Sequence, residues 1–140
     1  MPDIPLAIEE LQRLLQESPF HRVLKLSIES VDESSQTLVL KVPADPSIER
    51  KPGTGQHHGG VIASLIDIAG DFVLAWQLGY GVPTINFRTD YLRAATQTDL
   101  FAHARIRRLG RTVAVCDIDV SDAQGRVLAL GRGTYATKAG

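Results

Sequence analysis

The chain has 140 residues, which is the length of one ordinary domain, and a single domain over 1–140 is predicted. Its 44% hydrophobic and 22% charged residues are typical of a folded globular protein rather than a disordered or fibrous one. The formal net charge of -1 provides no basic field, so neither nucleic acid nor an anionic membrane surface is an expected partner.

Cysteine use and the N-terminal sequence indicate the compartment. Cys116 is the only cysteine, which excludes an intrachain disulfide and a CxxC motif. The first residues show no basic segment followed by an apolar run, so no signal or transit peptide is predicted. A reducing, cytoplasmic location is therefore expected. The most apolar stretch, Val61 to Trp76, contains two aspartates, and we predict a buried helix rather than a membrane span.

The first third of the chain alternates between helical and strand patterns. Leucines recur at helical spacing near the N-terminus until Pro19, which predicts a helical segment over 1–19. Two runs of alternating polarity then surround a turn-forming cluster, as in a β-hairpin. A long stretch rich in proline and glycine follows, and loops of this length are usually functional. The predicted elements are a helix over 5–16, strands over 23–31 and 37–42, and a loop over 43–57.

The remainder predicts one apolar helix and four strands. Gly79 and Gly81 resemble helix C-caps and end the helix. Short turns separate the strand patterns, which favours an antiparallel meander. The four runs cover 84–93, 98–109, 112–121 and 127–137. A helix that is apolar nearly all round must be covered nearly all round, so the expected class is α+β, with a curved six-stranded antiparallel sheet wrapped around one long central helix.

Small and acidic residues form a stripe along the apolar helix. Gly60, Ser64, Asp67 and Asp71 are separated by four, three and four residues, so they share one face. This stripe is either an ordinary solvent-facing surface or a surface for close approach. Exposed helix faces usually carry Lys, Glu, Arg and Gln, which favours the second interpretation. Gly59 precedes the stripe at the N-terminus of the predicted helix. There the first backbone amides have no partner within the helix, and together with the helix dipole they can bind an anion or a developing oxyanion.

The helix also predicts an oligomer. The amides of Gly59 and Gly60 precede Asp67 by seven or eight residues, roughly 11 Å along the axis at about 1.5 Å per residue, so the amides and the carboxylate cannot act on one bond within one chain. A second protomer with an antiparallel helix brings its Asp67 beside the first Gly59. We therefore expect a homodimer, or a tetramer formed as a dimer of dimers.

Together these segments resemble the hotdog-fold acyl-CoA thioesterases, most closely the phenylacetic-acid-degradation (PaaI-like) branch. The resemblance spans about residues 20–138. The residues that carry it are His58-Gly59-Gly60, Asp67 after six intervening residues, the strand Thr84 to Arg93, and Gly110-Arg111-Thr112.

The resemblance implies hydrolysis of an aryl- or medium-chain acyl-CoA to a carboxylic acid and free CoA, with no cofactor. It implies that the Gly59 N–H polarises the thioester carbonyl. Asp67 of the partner subunit is the nucleophile or the general base. Thr84 orients the attacking group, although an ordinary β-branched strand residue explains Thr84 equally well. His58 orients the loop before the helix.

The sequence departs from the branch at Pro52, where many members carry an Asn that supplements the oxyanion site. Proline cannot donate a hydrogen bond. Either Gln56 or His57 reaches the same pocket, or the protein is slower, differently selective or not hydrolytic. A non-catalytic acyl-CoA-binding or regulatory protein is therefore the alternative function. A dehydratase or hydratase is less well supported, because it needs a His and a carboxylate at other spacings.

Other candidates concern substrate contacts. Asn86 lies in the motif strand, and Arg93 and Arg111 are expected to bind the CoA phosphates. Together with the residues above, the predicted substrate contacts are Gln56, His57, Gly60, Ser64, Asp71, Asn86, Arg93 and Arg111. A metal site is not predicted, because the spacing of the adjacent histidines and Asp67 matches no metal motif. Five aromatic residues could line an acyl pocket or belong to the core: Phe72, Trp76, Tyr80, Phe87 and Tyr91.

Overall fold

A curved sheet encloses one long helix in the computed structural model, which describes residues 5–138. The few residues of the predicted domain at either end, 1–4 and 139–140, lie outside this range. The helices are α1 (Ile8–Gln16), α2 (Pro19–Val23) and α3 (Gly59–Leu78), with a 3-10 turn at Pro46–Ile48. The strands are β1 (Ser27–Asp32), β2 (Thr37–Val42), β3 (Thr84–Tyr91), β4 (Leu100–Leu109), β5 (Val113–Ser121) and β6 (Val127–Ala136).

The six strands form one antiparallel sheet in the order β1-β2-β4-β5-β6-β3, which confirms the predicted class and architecture. The predicted four-strand meander is wrong in one respect, because β3 pairs with β6 and not with β4. The segment after β3 makes no tight turn. Instead, Gln97 N–H donates to Gly55 O (2.7 Å), and His57 N–H donates to Ala95 O (2.9 Å). These bonds hold the segment between β3 and β4 against the loop that precedes α3, across the end of the sheet. As a result, β4 begins beside β2.

Helix α3 is the core of the molecule, as its apolar sequence predicts. Thirteen of its 20 residues are buried, including Trp76. The His58 side chain caps its first turn, and Gly79 ends it in the left-handed conformation, with φ 91°. Glycine is favoured there because it has no Cβ to strain this backbone shape. By length and hydropathy alone α3 could span a membrane, but 72% of its most apolar window is buried within the fold.

The N-terminal region differs from the prediction after residue 18. Pro19 does not simply end a helix; it occupies the first turn of α2, where a missing N–H costs nothing. Val23 therefore belongs to a helix and is exposed, rather than starting a strand. The chain leaves α2 through Lys25, whose φ is 54°, and β1 begins only at Ser27.

The loop before α3 has more structure than predicted. Asp45 caps the 3-10 turn by accepting from Ser47 N–H at 2.9 Å. Farther on, Glu49 pairs with His57 as an antiparallel bridge. His58 N–H donates to the carbonyl of Ile48 at 3.0 Å. The residues on the two sides of the loop, Ile48 and Glu49 on one and His57 and His58 on the other, are thus paired with each other immediately before α3 begins.

Gly70 marks the closest approach of α3 to the sheet. A Cβ at this position would overlap the hydroxyl and ring of Tyr135 on β6. We expect Gly70→Ala to lower the free energy of unfolding by about 1–3 kcal/mol, the usual effect of overpacking. Urea denaturation measures this loss. Gly81→Ala is the matched control, because its Cβ would meet only Asp71 Oδ1, at 4.0 Å. Equal stability of the two variants would contradict the packing argument.

Candidate active site

Asp67 and Thr84 form a short hydrogen-bonded pair between α3 and β3. Thr84 Oγ1 donates to Asp67 Oδ1 at 2.6 Å. A bulge in β3 places Thr84 on the helix side of the strand, since the register with β6 shifts between Thr84 and Asn86. Within residues 5–138, Asp67 Oδ2 accepts no hydrogen bond. The pair therefore holds a carboxylate in a fixed orientation with one oxygen free.

Tyr135 holds the backbone of Asp67 from the opposite side. Its Oη donates to the Asp67 carbonyl at 2.9 Å, and its side chain is fully buried. Burial, together with the nearby Asp67 charge, raises the pKa of Tyr135, so the phenol stays protonated and can donate. Asp67 is thus positioned by β3 through its side chain and by β6 through its backbone.

The first turn of α3 leaves one amide free. Gly60 N–H donates to His58 Nδ1 at 2.8 Å, and Val61 N–H donates to the His58 carbonyl at 2.9 Å. Tyr91 Oη donates to the Gly59 carbonyl at 2.6 Å. Among the described residues, the Gly59 N–H has no acceptor. This amide is therefore available to a substrate oxygen at the positive end of the helix dipole.

A cleft of about 360 Å³ opens in front of Gly59. It brings together three predicted residues besides Gly59, and Tyr91, which is one of the five aromatic residues considered for an acyl pocket. It also adds Arg50, which was not predicted. Its walls are Arg50, Gln56, His57, Gly59, Ile62, Tyr91, Leu92, Arg93, Ala94 and Ala95. A larger groove of about 470 Å³ runs across the sheet from Thr37 of β2 over β4 and β5 to β6, and no predicted site residue lines it.

The two residues proposed to replace the missing Asn are placed differently. His57 is 5% exposed, and its Nε2 lies 2.6 Å from the Thr98 carbonyl, so Nε2 carries the proton and is already used. Its Nδ1 is buried and has no partner among residues 5–138. Gln56 accepts from Arg50 Nη1 through Oε1 at 3.1 Å. Its amide NH₂ donates to no described residue, so Gln56 is the better substitute donor.

Asp71 supports the chain between α3 and β3. Its Oδ1 accepts from Val82 N–H at 2.9 Å, and it does not line the cleft. Burial raises the pKa of Asp71 to about 6, and the charge of Asp67 one turn away adds to the effect. Ser64 also bonds locally, because its Oγ donates to the Gly60 carbonyl at 2.7 Å.

The raised pKa of Asp71 predicts a pH-dependent stability. Between its ordinary value and about 6, the folded state binds more protons than the unfolded state, so this contribution is complete at low pH and is lost as the pH rises through about 6. Asp71→Asn keeps an acceptor for Val82 and cannot ionise. We expect its stability advantage to grow by about 1.4 kcal/mol between about pH 5 and about pH 8, because about one pH unit of the titration lies above pH 5.

Denaturant titrations of both proteins at several pH values measure the Asp71 effect. Parallel stability profiles would contradict the assignment.

The structure does not bring Asn86 and Arg111 to the cleft. Asn86 lies opposite Thr134, on the strand face that carries Arg88, because the bulge reverses the alternation after Thr84. Arg111 lies in the turn between β4 and β5. Gly60 is exposed beside the cleft, with its N–H used by His58.

Cys116 is unsuited to nucleophilic catalysis. Cys116 is fully buried, and burial raises its pKa to about 12, so it is a thiol rather than a nucleophilic thiolate.

In the part of the chain that the structure describes, no three His, Cys, Asp or Glu side chains gather as metal ligands. The rings of His57 and His58 bond to different partners, the Thr98 carbonyl and the Gly60 amide.

Comparison with known proteins gives the family. The family model of the Thioesterase superfamily matches residues 54–129. This range includes His58, which caps α3, together with Asp67 and Thr84. A Halobacterium salinarum protein that is provisionally named an esterase is 35% identical over 121 residues, covering 79% of this chain and 80% of its own. The medium/long-chain acyl-CoA thioesterase YigI of Escherichia coli is 26% identical over 132 residues, covering 84% of each chain.

Solved structures agree on the fold. The PaaI protein of the Escherichia coli phenylacetic acid degradation operon superposes with a TM-score of 0.78, covering 96% of this chain and 98% of its own, at 23% identity. The chain belongs to the Thioesterase superfamily and has its hotdog fold. The predicted resemblance to this family, with PaaI among the structural neighbours, is confirmed.

Proposed function

We propose that the protein is an acyl-CoA thioesterase that hydrolyses an aryl- or medium-chain acyl-CoA to a carboxylic acid and free CoA. The observation that carries the proposal is the Thr84–Asp67 hydrogen bond of 2.6 Å, which orients a carboxylate with one oxygen free. The free Gly59 amide in the cleft supplies the second requirement, a donor for the thioester oxygen. The similarity to YigI, a named acyl-CoA thioesterase, supports the same class of reaction.

In this mechanism the Gly59 N–H donates to the thioester carbonyl oxygen, and the partner's Asp67 acts on the carbonyl carbon. As a general base, the carboxylate takes a proton from water while the water oxygen attacks. The carbon–sulfur bond then breaks, and the CoA thiolate leaves and is protonated. As a nucleophile, the carboxylate forms an anhydride that water hydrolyses. Thr84 serves both routes by holding Oδ1, and no cofactor is needed.

We propose a homodimer, or a dimer of dimers, as the active unit. Gly59 and Asp67 are about 12 Å apart along α3, so one chain cannot complete the site. The edge strand β3 is open to pairing, and it exposes Ile85 (58%) and Tyr91 (53%). An antiparallel pair of β3 edges would cover these side chains. Sedimentation equilibrium tests this proposal, and an active monomer at assay concentration would overturn it.

Arg93 lies in the cleft, and we propose that it binds the CoA phosphates together with Arg50. Both side chains are exposed and neither forms an ion pair with a described residue. They can therefore turn toward a bound anion. Arg111 could contribute only if a second protomer brings it to the cleft.

A panel of aryl-CoA and straight-chain acyl-CoA esters tests the proposed function. Release of free thiol, followed with a thiol-reactive dye, measures hydrolysis, and calorimetry on the same esters measures binding. Turnover of at least one ester supports the thioesterase. Tight binding without thiol release would favour the non-catalytic acyl-CoA-binding alternative, for which Pro52 in the exposed loop is the supporting observation.

A further inference from the structure

We propose that Tyr91 is a positioning residue that orients the first peptide group of α3 and thereby aims the Gly59 N–H at the thioester oxygen. The proposal rests on the proposed function and adds a residue to it. Tyr91 lies on β3, lines the cleft beside Gly59, and forms its hydrogen bond with the backbone of the helix rather than with a side chain.

The peptide group between Gly59 and Gly60 is held at both ends. Its carbonyl oxygen accepts from Tyr91 Oη at 2.6 Å, and its N–H donates to His58 Nδ1 at 2.8 Å. A peptide group is planar, so two bonds at opposite ends fix its rotation. Two successive glycines give this part of the backbone the greatest torsional freedom. The Gly59 N–H belongs to the preceding peptide group, whose carbonyl, that of His58, accepts from Val61 N–H at 2.9 Å. The two peptide groups meet at the Cα of Gly59, so holding the Gly59–Gly60 peptide restricts the remaining rotation that sets the direction of the Gly59 N–H.

The Tyr91 bond is not needed to satisfy the carbonyl. Within an α-helix this oxygen already accepts the amide four residues later. Within its own chain Tyr91 is 53% exposed, so in the single chain the hydrogen bond to Gly59, more than packing, fixes its position. Its ring lies 3.5 Å from the position of a Cβ on Gly59, which is an ordinary contact. The function of the bond is thus one of orientation.

Orientation has a large effect here because, among the described residues, the Gly59 N–H is the backbone amide left free in the first turn of α3, and Gln56 adds only a side-chain donor. The Gly60 amide is used by His58, and Pro52 supplies no donor. A loosened Gly59 amide would still admit the substrate but would stabilise the developing oxyanion less. Loss of Tyr91 Oη should therefore lower kcat and leave KM nearly unchanged.

The first experiment compares two Tyr→Phe variants on the best CoA ester of the panel. Tyr91→Phe keeps the ring and loses Oη, and we expect kcat to fall about 10-fold with KM within about twofold. Tyr80→Phe is the matched control, because Tyr80 Oη also donates to a backbone carbonyl, that of Thr137 at 2.7 Å, and lies outside the cleft. Its kcat should match the wild type. Equal kcat in all three proteins overturns the proposal.

A double-mutant cycle with His58→Ala tests whether both residues act on one peptide. We expect the two losses in log kcat to be non-additive by a factor of about three or more, whereas additive losses would overturn the shared role. His58→Asn, which keeps a side-chain acceptor for the helix cap, should restore part of the activity. Failure to rescue would show that His58 acts otherwise than by holding Gly60, and would also overturn the shared role.

Amide NMR of the free protein separates this proposal from the proposed function. In Tyr91→Phe the Gly59 and Gly60 amide resonances should shift, while those near Gly79 should not. This readout does not depend on turnover. If the wild type hydrolyses no ester, the thioesterase assignment fails, yet shifted Gly59 and Gly60 resonances still support the orienting bond. Unchanged resonances overturn it whatever the activity.

Discussion

Replacing Asp67 with Asn is expected to lower kcat by about 10² to 10⁴ on the best thioester, the range for loss of a general base. The reason is chemical rather than structural. Asn keeps an oxygen that can accept from Thr84 Oγ1, as Asp67 Oδ1 does at 2.6 Å, so the contact between α3 and β3 should survive. What is lost is the negative charge that removes a proton from water or attacks the carbonyl carbon.

The measurement is a steady-state assay of thiol release, with circular dichroism and a thermal melt to confirm folding. Thr84→Ser and Thr84→Val form a matched pair, since only the first keeps the hydroxyl. Thr84→Ser should stay near the wild type, and Thr84→Val should lose part of kcat. A folded Asp67→Asn with kcat close to the wild type would show that the carboxylate does not perform the reaction.

Gly59→Val is expected to lower kcat/KM by about 10², the scale of losing one oxyanion donor. Gly59 is the first residue of α3 and does not have positive φ, so the variant need not strain the backbone. A Cβ there would meet the Tyr91 ring at 3.5 Å, which is ordinary contact. With the Tyr91 ring on one side, we expect the branched carbons beyond it to crowd the space in front of the N–H, where the thioester oxygen would bind.

Gly59→Ala is the milder control, because its single methyl fits beside Tyr91. We expect its kcat/KM to lie between those of the wild type and Gly59→Val. Thermal melts of all three proteins exclude unfolding as the cause. A well-folded Gly59→Val protein with wild-type kinetics would show that this amide does not bind the carbonyl, and would favour the acyl-binding alternative.

The central helix was predictable because its signals are local. An apolar run that begins after Gly59 and ends at the C-cap Gly79 marks the extent of α3 in the sequence itself. The position of β3 in the sheet was not predictable from the sequence. Its pairing with β6 depends on hydrogen bonds between distant segments, such as the bond from His57 N–H to Ala95 O. Short turns in a sequence favour pairing between consecutive strands. In this protein the connection from β3 to β4 crosses the sheet instead, so these two consecutive strands are not paired.

Within the site, spacing alone identified a stripe but not the different environments along it. Asp67 and Asp71 are one helical turn apart and look alike in the sequence. Only the path of the following strand gives Asp67 the Thr84 hydroxyl and Asp71 the Val82 amide. The orienting contact of Tyr91 was also hidden, because a hydrogen bond to a backbone carbonyl leaves no mark on the identity of its partner.

The bulge in β3 decides which side chains of this strand face the helix. Before the bulge Thr84 faces α3, and after it Phe87 returns to that side opposite Gly133, with Asn86 between them turned outward. Thr84 and Phe87 are three residues apart, so a strand that paired every residue without a bulge would place them on opposite faces. The extra residue, Ile85, is therefore what allows one short strand to present both Thr84 and Phe87 to α3.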